Sequence, residues 1–504
     1  MNFPSEKTWE IDASVDDETI LQLFSSVFNA SAGIPVKSTV IFFDDFDSHL
    51  WDAGYLLYKA DIQQFKLVDP LGKVSDIGAS KNARFWWDFS EKKNVLQKLI
   101  GLRALMPVAN LEFSEQHYSL YNEDQKIVTK ACLTQLILEN SVVNYLTLQP
   151  LRGYTKYYNR AEKTLSDLLK TEIDHFGLKS ILIINSIRTF RINNDFEVAM
   201  DENTSAEESV RAMGLALLNA AKIHVDGAIS DIDTEFLHQF RVSIRKLRSL
   251  ISLLRRSLPQ ATIDLLKPKL SLIAQKTNKL RDLDVFLLDE SKYREFLPDT
   301  FESGLTELYT LIHKQRKEEH KKLSRYFSSE NYLNEISACA EILSSSPVYE
   351  TNVSKKPILL VVKKLLLNRY QKMLAMSIDI SSQSPDEDVH ALRIEFKKFR
   401  YLIEFFVNLL PKKDIARLIA DIKKIQTVLG NFNDYSTQIE FLKSYINDDR
   451  IEMSKSLSGL IAVLHQKQIE EKLKVNEILA DFFTDRMTNK IDAIFSSTIQ
   501  GDSK

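Results

Sequence analysis

An internal repeat constrains the fold of this 504-residue chain more than any other feature of its sequence. One motif, His-x-x-Arg-x-x-x-(Arg/Lys)-Lys-x-Arg, occurs at residues 238–248 and again at residues 390–400, an offset of 152 positions. Matched residues keep the same offset, without a gap, far beyond the motif. A constant offset of this kind predicts two copies of one structural unit. We place the copies at about residues 206–328 and about residues 355–482.

Each copy is predicted to be helical. Apolar residues recur at helical spacing from about residue 206 onward, with almost no strand signals. We expect four helices per copy, at 206–228, 235–257, 260–290 and 301–327 and at 355–379, 386–409, 412–444 and 452–483. Residues 329–350 are expected to form a short helix and a Ser-Ser-Ser-Pro stretch that link the copies. Four long helices with short connections favour a bundle, so we predict two four-helix bundles related by an approximate twofold axis.

The first 200 residues follow a different pattern. Apolar β-type runs such as Val36–Phe43 and Val142–Leu148 are bounded by turn signals, and helical stretches such as Asp17–Phe28 interrupt them. We therefore predict an N-terminal α+β domain over residues 1–200 and an all-α domain over residues 201–504.

The repeated motif places cations on one face of a helix. At about 100° per residue, the histidine and three of the basic residues of each copy fall on one stripe, and one lysine lies beside it. The ten candidate anion ligands are His238, Arg241, Arg245, Lys246, Arg248, His390, Arg393, Lys397, Lys398 and Arg400. Stacked like charges repel unless an anion neutralises them, and arginine matches phosphate oxygens with two parallel donors. Two facing stripes predict a basic channel or groove for a polyanion, and a solvated helix face is the alternative interpretation.

Other basic residues extend this surface in our interpretation. The secondary anion-binding candidates are Arg281, His313, Lys363, Lys364, Arg369 and His465. For the two histidines, a hydrogen-bonded position inside the bundle is the alternative, and for the others it is a plain surface role. We predict no catalytic residue and no metal ligand.

Composition limits the partners. The net charge is −3 and the isoelectric point is about 6.4, whereas nucleic-acid-binding domains are usually basic, so a nucleic-acid partner is disfavoured. Cys132 and Cys339 cannot form a disulfide framework, which fits a reducing compartment. Residues 1–12 have no signal-peptide pattern, and the apolar runs are too short to cross a bilayer. We expect a cytoplasmic protein with no membrane partner.

The helical half resembles the CHAD domain, the conserved histidine α-helical domain. Residues 238–248, 280–285, 390–401 and 429–434 carry the resemblance, which extends over about 205–490. It implies two four-helix bundles with a central basic surface. It also implies that the ten candidate ligands bind inorganic polyphosphate and that the protein associates with polyphosphate granules.

The N-terminal half resembles the CYTH domain, a β-barrel of the triphosphate-tunnel type that often precedes a CHAD domain. Residues 42–54, 103–108 and 151–154 are similar to its landmarks. The family signature Glu-x-Glu-x-Lys, which holds Mg²⁺ and phosphate, reads Glu10-Ile-Asp12-Ala-Ser14 here, so its lysine is absent. A two-metal triphosphatase needs several carboxylates, so the resemblance implies a degenerate domain.

These observations predict a polyphosphate-binding protein without a cofactor. The alternative is an enzyme, a Mg²⁺-dependent inorganic triphosphatase of the CYTH type with the CHAD domain as its accessory polyphosphate-binding part. The degenerate signature favours the binding protein.

Overall fold

The computed structural model shows two compact units, Met1–Asn193 and Asn194–Lys504. It describes residues 6–12, 15–25, 27–60, 64–71, 73–80, 82–137, 142–168, 172–173, 198, 200–381, 383–446 and 450–496. Within these ranges, no helix combines the length and the apolar character that crossing a membrane requires.

The first unit is built on an antiparallel sheet. Its strands are β1 (Lys7–Ile11), β2 (Asn29–Ala32), β3 (Val36–Asp44), β4 (Leu56–Ala60), β5 (Phe65–Val68), β6 (Val74–Ile77), β7 (Met106–Tyr121), β8 (Ile127–Ile137), β9 (Val142–Pro150) and β10 (Glu172–Ile173). The strand order is β10-β1-β9-β8-β7-β3-β4-β5-β6, and β2 pairs with β7. The predicted sheet-rich N-terminal domain is thereby confirmed, while its tunnel form stays a prediction.

Helices complete the core of this unit. They are α1 (Asp17–Ser25), α2 (His49–Asp52), α3 (Lys93–Ile100) and α4 (Thr155–Leu168). Phe24 of α1 and Leu165 of α4 pack with Trp9, Tyr118 and Leu146 of the sheet in one buried cluster. Along β7, buried Tyr118 and Leu120 flank the less buried Ser119, which is the alternation expected of a strand with one face in the core.

The second unit is all-helical in its described residues, as predicted. The first copy contains α5 (Ala206–Ile223), α6 (Val225–Ile229), α7 (Thr234–Leu253), α8 (Gln260–Lys276), α9 (Asn278–Leu288), α10 (Glu290–Glu295), α11 (Glu302–Phe327) and α12 (Glu330–Ser344). The second contains α13 (Ile358–Ile378), α14 (Asp386–Phe405), α15 (Lys412–Lys443), α16 (Ile451–Phe482) and α17 (Asp485–Ser496). The starts of α5, α7 and α8 precede those of α13, α14 and α15 by the predicted offset.

Each copy is completed by a further helix, which was predicted as a short linking helix in the first copy and was not predicted in the second. Helix α12 packs against α5, and α17 packs against α13 in the same way. The buried face of α12 includes Ile336, Cys339 and Leu343, and a Cβ added at Gly214 of α5 would lie 2.9 Å from Leu343. The short helix expected to link the copies therefore forms part of the first copy, because its apolar stripe needs a neighbouring helix to cover it.

The predicted third helix of the first copy is broken, whereas its counterpart α15 is continuous. Helix α8 ends at Lys276 and α9 begins at Asn278, with Thr277 between them. The Thr277 hydroxyl donates to the Ala274 carbonyl oxygen at 2.7 Å, which satisfies an acceptor at the end of α8.

Equivalent residues of the two copies contact each other. Ser205 and Pro357 form an antiparallel bridge, and Gly304 lies against Ser456. Helix α7 packs against α14 and α11 against α16, so equivalent helices are neighbours. A residue that meets its own counterpart lies on the axis relating the copies, as expected for an approximate twofold axis.

Candidate functional site

The two cationic helices begin at defined capping positions. The Asp233 side chain accepts a hydrogen bond of 2.8 Å from the Glu235 N–H at the start of α7. Helix α14 follows Pro385 and has three acidic residues in its first turn. Acidic groups are favourable there because the N-terminus of a helix carries a partial positive charge.

The apolar faces of these helices are buried, which fixes the direction of the cationic faces. Phe240 and Leu247 of α7 are buried, as are Phe396 and Phe399 of α14. Arg245 and Arg248 are exposed, and the basic residues of α14 are half-buried. The apolar stripe therefore anchors each helix and leaves the cations at the surface where α7 and α14 meet.

Cations from the two copies lie close enough to influence one another. Burial and the charges of Arg393, Arg245 and Arg400 together lower the pKa of Lys397 to about 8, and the charge of Asp434 opposes this shift. Burial also lowers the pKa of Arg393, and Arg245 contributes to that shift. Arg245 thus joins the first copy electrostatically to two cations of the second.

In the first copy, Arg241 is the residue whose pKa is shifted by several neighbouring cations. Burial lowers its pKa; the charge of Asp282 opposes this shift, and the charges of Arg245, Arg281 and Arg248 add to it. Arg281, a secondary candidate, therefore belongs to the same group. We define the cationic cluster as Arg241, Arg245, Arg248, Arg281, Arg393, Lys397 and Arg400.

Equivalent arginines of the motif have different partners. Arg241 donates to Thr277 Oγ1 at 2.6 Å and to Asn278 Oδ1 at 2.8 Å, so it holds the break between α8 and α9. Arg393 instead pairs with Asp434 at 3.4 Å. One copy of this position therefore has a structural role that the motif alone does not predict.

The motif histidines also differ. His390 is exposed, and its Nδ1–H donates to Asn433 Oδ1 at 2.5 Å. This tautomer leaves Nε2 as an acceptor, so the ring donates to an anion from Nε2 only when it is protonated. His238 is half-buried. The position equivalent to Asn433 is occupied by Arg281 in the first copy, so His238 has no equivalent asparagine beside it.

Besides Arg393, three further predicted ligands form ion pairs with acidic residues. Lys246 pairs with Glu404 at 3.3 Å, and Arg400 Nε donates to the same carboxylate at 2.6 Å. Lys398 pairs with Glu395 at 2.9 Å. These cations are therefore partly neutralised before any anion binds, which the angular pattern of the stripe did not reveal.

Glu395 is the more buried of the two acids. It also accepts Arg369 at 2.5 Å and Lys372 at 3.1 Å. Burial raises its pKa, but hydrogen bonds from Lys398 and Lys372 and the charge of Arg369 outweigh burial and lower it. Arg369, another secondary candidate, is thus bound to an acid as well.

A cavity of about 750 Å³ adjoins the cluster on the side of the first copy. Arg245, Arg248, Lys267 and Lys398 line it together with Ser249, Ser252 and Ser271. Among the described residues, no carboxylate forms an ion pair with Arg245, Arg248 or Lys267. Lys267 lies outside the repeated motif. It reaches this cavity because α8 packs beside α7.

The other secondary candidates lie in different surroundings. His313 and His465 are exposed on α11 and α16, and His313 Nε2 lies 3.7 Å from Glu290. Lys363 is buried, whereas its neighbour Lys364 is exposed. The structure therefore places Arg281 with the cationic cluster and leaves the two histidines exposed on α11 and α16.

The residues of the degenerate CYTH signature lie at the start of the first sheet. Glu10 is exposed on β1 and pairs with Tyr145 of β9, and Asp12 is exposed just beyond the strand. In the part of the chain that the structure describes, no group of three or more His, Cys, Asp or Glu side chains could hold a metal ion. Ser14, at the position of the family's lysine, lies outside the described residues.

The chain is similar to several solved structures. The crystal structure of the CHAD domain from the plant Ricinus communis matches with 19% identity and a TM-score of 0.46, covering 60% of this chain and 94% of that one. PptA from Streptomyces chartreusis matches with 14% identity and a TM-score of 0.40, covering 55% and 98%. PH1819 protein from Pyrococcus horikoshii OT3 matches with 9% identity and a TM-score of 0.22, covering 36% and 98%.

A comparison with curated protein sequences gave no match. The sequence model of the CHAD domain family matches residues 212–443, which include both copies of the histidine motif. Residues 212–443 of this chain are therefore a CHAD domain.

Proposed function

We propose that this protein binds inorganic polyphosphate through the cationic cluster. The observation that supports this most is the position of Arg245 beside Arg393 and Lys397 of the other copy. Like charges brought together at a partly buried surface oppose folding unless an anion neutralises them. The burial and repulsion that lower the pKa of Lys397 to about 8 are the cost that a bound anion would relieve.

A chain of phosphates suits this arrangement better than a single small anion. The cluster contains cations from both copies, and exposed Arg245 and Arg248 extend it into the adjoining cavity. A uniform polyanion can contact all of these groups at once, so each further contact is intramolecular and adds to the affinity. Arginines supply most of the charge, and their paired donors match phosphate oxygens.

The test is a titration of the full-length protein with long-chain polyphosphate. We expect the double variant Arg245→Glu and Lys397→Glu to lose at least about a hundredfold in affinity, because each change replaces an attraction by a repulsion at the cluster. Lys321→Glu, at an exposed position of α11, is the control and should bind as the original protein does. Undiminished binding by a folded double variant would contradict the assignment.

The salt dependence gives an independent measurement. The logarithm of the association constant should fall linearly with the logarithm of salt concentration, and removing one phosphate contact should reduce the slope by about one. RNA of equal charge should compete poorly, because bulky nucleotides cannot follow the partly buried cations as a bare phosphate chain does. Equal competition by RNA would show a general polyanion site.

In cells, this activity would bring the protein to polyphosphate granules in the cytoplasm. A fluorescent fusion of the full chain should colocalise with stained granules, and the same double variant should be diffuse. Colocalisation that persists in the double variant would separate granule association from the cationic cluster.

A further inference from the structure

A second basic cavity lies at the end of α7, beyond the one that adjoins the cluster. Its volume is about 700 Å³, and six cations line it without any acidic residue: Arg255, Arg256, Lys267, Lys356, Lys364 and Arg369. Lys267, Ser252 and Leu253 line both cavities, so the two adjoin each other.

These cations do not belong to the duplicated motif. The positions related to them by the repeat hold, in the same order, Val407, Asn408, Ile419, Thr204, Ala212 and Leu217, none of which is charged. The backbone is nevertheless repeated there, because Arg255–Ser257 and Val407–Leu409 are equivalent 3-10 turns. The charge of this cavity is therefore a property of one side of the molecule and does not follow from the symmetry of the cationic stripes.

Few carboxylates neutralise the cations of this cavity. Among the described residues, no carboxylate forms an ion pair with Arg255, Arg256, Lys356 or Lys364, and all four are exposed. Arg369 donates to Glu395 from Nη1, while its buried Nε has no hydrogen-bond partner. A group of uncompensated cations around one concave surface attracts a multiply charged anion.

The lining also includes apolar side chains. Leu254 is buried, and Leu360, Val361 and Leu365 are half-buried on the wall formed by α13. A bare phosphate chain has no apolar surface to place against them, whereas an organic phosphate ester does. The volume lies in the range of small-molecule sites, about 300–1,000 Å³.

We infer that this cavity binds a small organic molecule carrying several phosphates, of the chemical class of the nucleoside polyphosphates. The basic side chains of Arg255, Arg256, Lys356 and Lys364 hold the phosphates, and the wall of α13 contacts the organic group. This site adjoins the cavity beside the cationic cluster, but none of its six cations belongs to the cluster, and the site does not depend on polyphosphate binding there.

The experiment compares adenosine triphosphate with tripolyphosphate on the full-length protein by calorimetry without divalent ions. The original protein should bind adenosine triphosphate more tightly than tripolyphosphate, because only the former reaches the apolar wall. The double variant Arg256→Glu and Lys364→Glu should bind adenosine triphosphate at least about tenfold more weakly. Asn408→Glu puts the same acidic group at the position related to Arg256 and should leave binding unchanged.

The cluster variant Arg245→Glu distinguishes the two sites. This variant should bind long-chain polyphosphate more weakly and adenosine triphosphate as before. The double variant Arg256→Glu and Lys364→Glu should bind adenosine triphosphate more weakly and long-chain polyphosphate as before. Equal affinity for tripolyphosphate and adenosine triphosphate would overturn the organic ligand class. Loss of adenosine triphosphate binding in Arg245→Glu, or its full retention by the folded double variant, would overturn the site.

Discussion

Lys246 Nζ lies 3.3 Å from the Glu404 carboxylate, so an ion pair joins the cationic helix of one copy to that of the other. The same carboxylate accepts Arg400 at 2.6 Å. The position of Glu404 is occupied by Ser252 in the first copy, so the acid has no counterpart there. A carboxylate among these cations reduces the potential that an approaching anion meets.

Replacing Glu404 by serine should therefore strengthen polyphosphate binding. The change gives the second copy the residue of the first and frees Lys246 and Arg400. We expect a gain of about fivefold in affinity at low salt, in line with about 1 kcal/mol for a partly exposed ion pair. The control is Glu440→Ser, which removes an exposed acid paired with Lys443. A loss of affinity in Glu404→Ser would show that the ion pair positions the ligands.

The affinity for polyphosphate should depend on pH through Lys397. Its pKa is lowered to about 8 by burial and neighbouring cations, so the free protein loses this proton above about pH 8. A phosphate binds the protonated amine, and binding should weaken by up to about tenfold per pH unit from that point. An ordinary lysine, with a pKa of about 10.5, would give no such change between about pH 7 and 9.5.

The Lys397→Arg variant tests whether Lys397 causes this pH dependence of the affinity. Arginine keeps its proton over the whole range, so titrations of this variant at several pH values should give nearly constant affinity. The original protein should also take up a fraction of a proton on binding near pH 8, measurable by calorimetry in buffers of different ionisation enthalpy. An unchanged pH profile in Lys397→Arg would assign the effect to another group.

Two helical glycines should respond oppositely to alanine. A Cβ at Gly304 would lie 2.3 Å from Ser456 Oγ and 2.5 Å from the Glu452 carbonyl oxygen, whereas one at Gly430 would have nothing within 4 Å. Gly430→Ala should raise the free energy of unfolding by about 1 kcal/mol through helix propensity. Gly304→Ala should lower it by about 1–3 kcal/mol, because α11 and α16 must separate.

Denaturation followed by far-ultraviolet circular dichroism measures both variants. All four tryptophans lie in the first unit, so tryptophan fluorescence reports its unfolding separately and should not change. Stabilisation by Gly304→Ala would contradict the close contact of α11 with α16.

The helical unit should lose stability in mild acid through His224. This side chain is buried beside Phe236, and burial lowers its pKa from 6.5 to about 4. The unfolded chain takes up the proton near pH 6.5 and the folded chain only near pH 4, so stability is full above 6.5 and falls between these values. The loss from this group is about 3 kcal/mol.

His224→Gln removes the titrating group and should flatten this part of the pH profile, whatever its stability at neutral pH. The measurement is denaturant unfolding by circular dichroism at a series of pH values. If the free energy of unfolding of the variant fell as steeply with pH as that of the original protein, the acid sensitivity would come from other residues.

Local pattern was sufficient for much of the fold. The constant offset between His238 and His390 predicted the repeat, and helical spacing predicted the starts of α7 and α14 to within one residue, although both helices end four residues earlier than expected. Angular position identified the cationic stripe, because the side chains of one helix follow from its 3.6-residue period. The helix of residues 329–350 was predicted only as a linker, and its packing against α5 was missed, although Ile336, Cys339 and Leu343 give it an apolar stripe.

The sequence by itself determined the repeat, the helical class and the group of candidate cations, since these depend on residue spacing within one element. Residue spacing allows the pairs of Glu395 with Lys398 and of Glu404 with Arg400 within α14, but tertiary structure decided the other partners of these two acids. Glu404 and Glu395 are on the same helix as the motif but point to partners on other helices, and Lys267 reaches the site from α8. Charge pairing depends on distance through space, and the packing of helices far apart in sequence sets that distance.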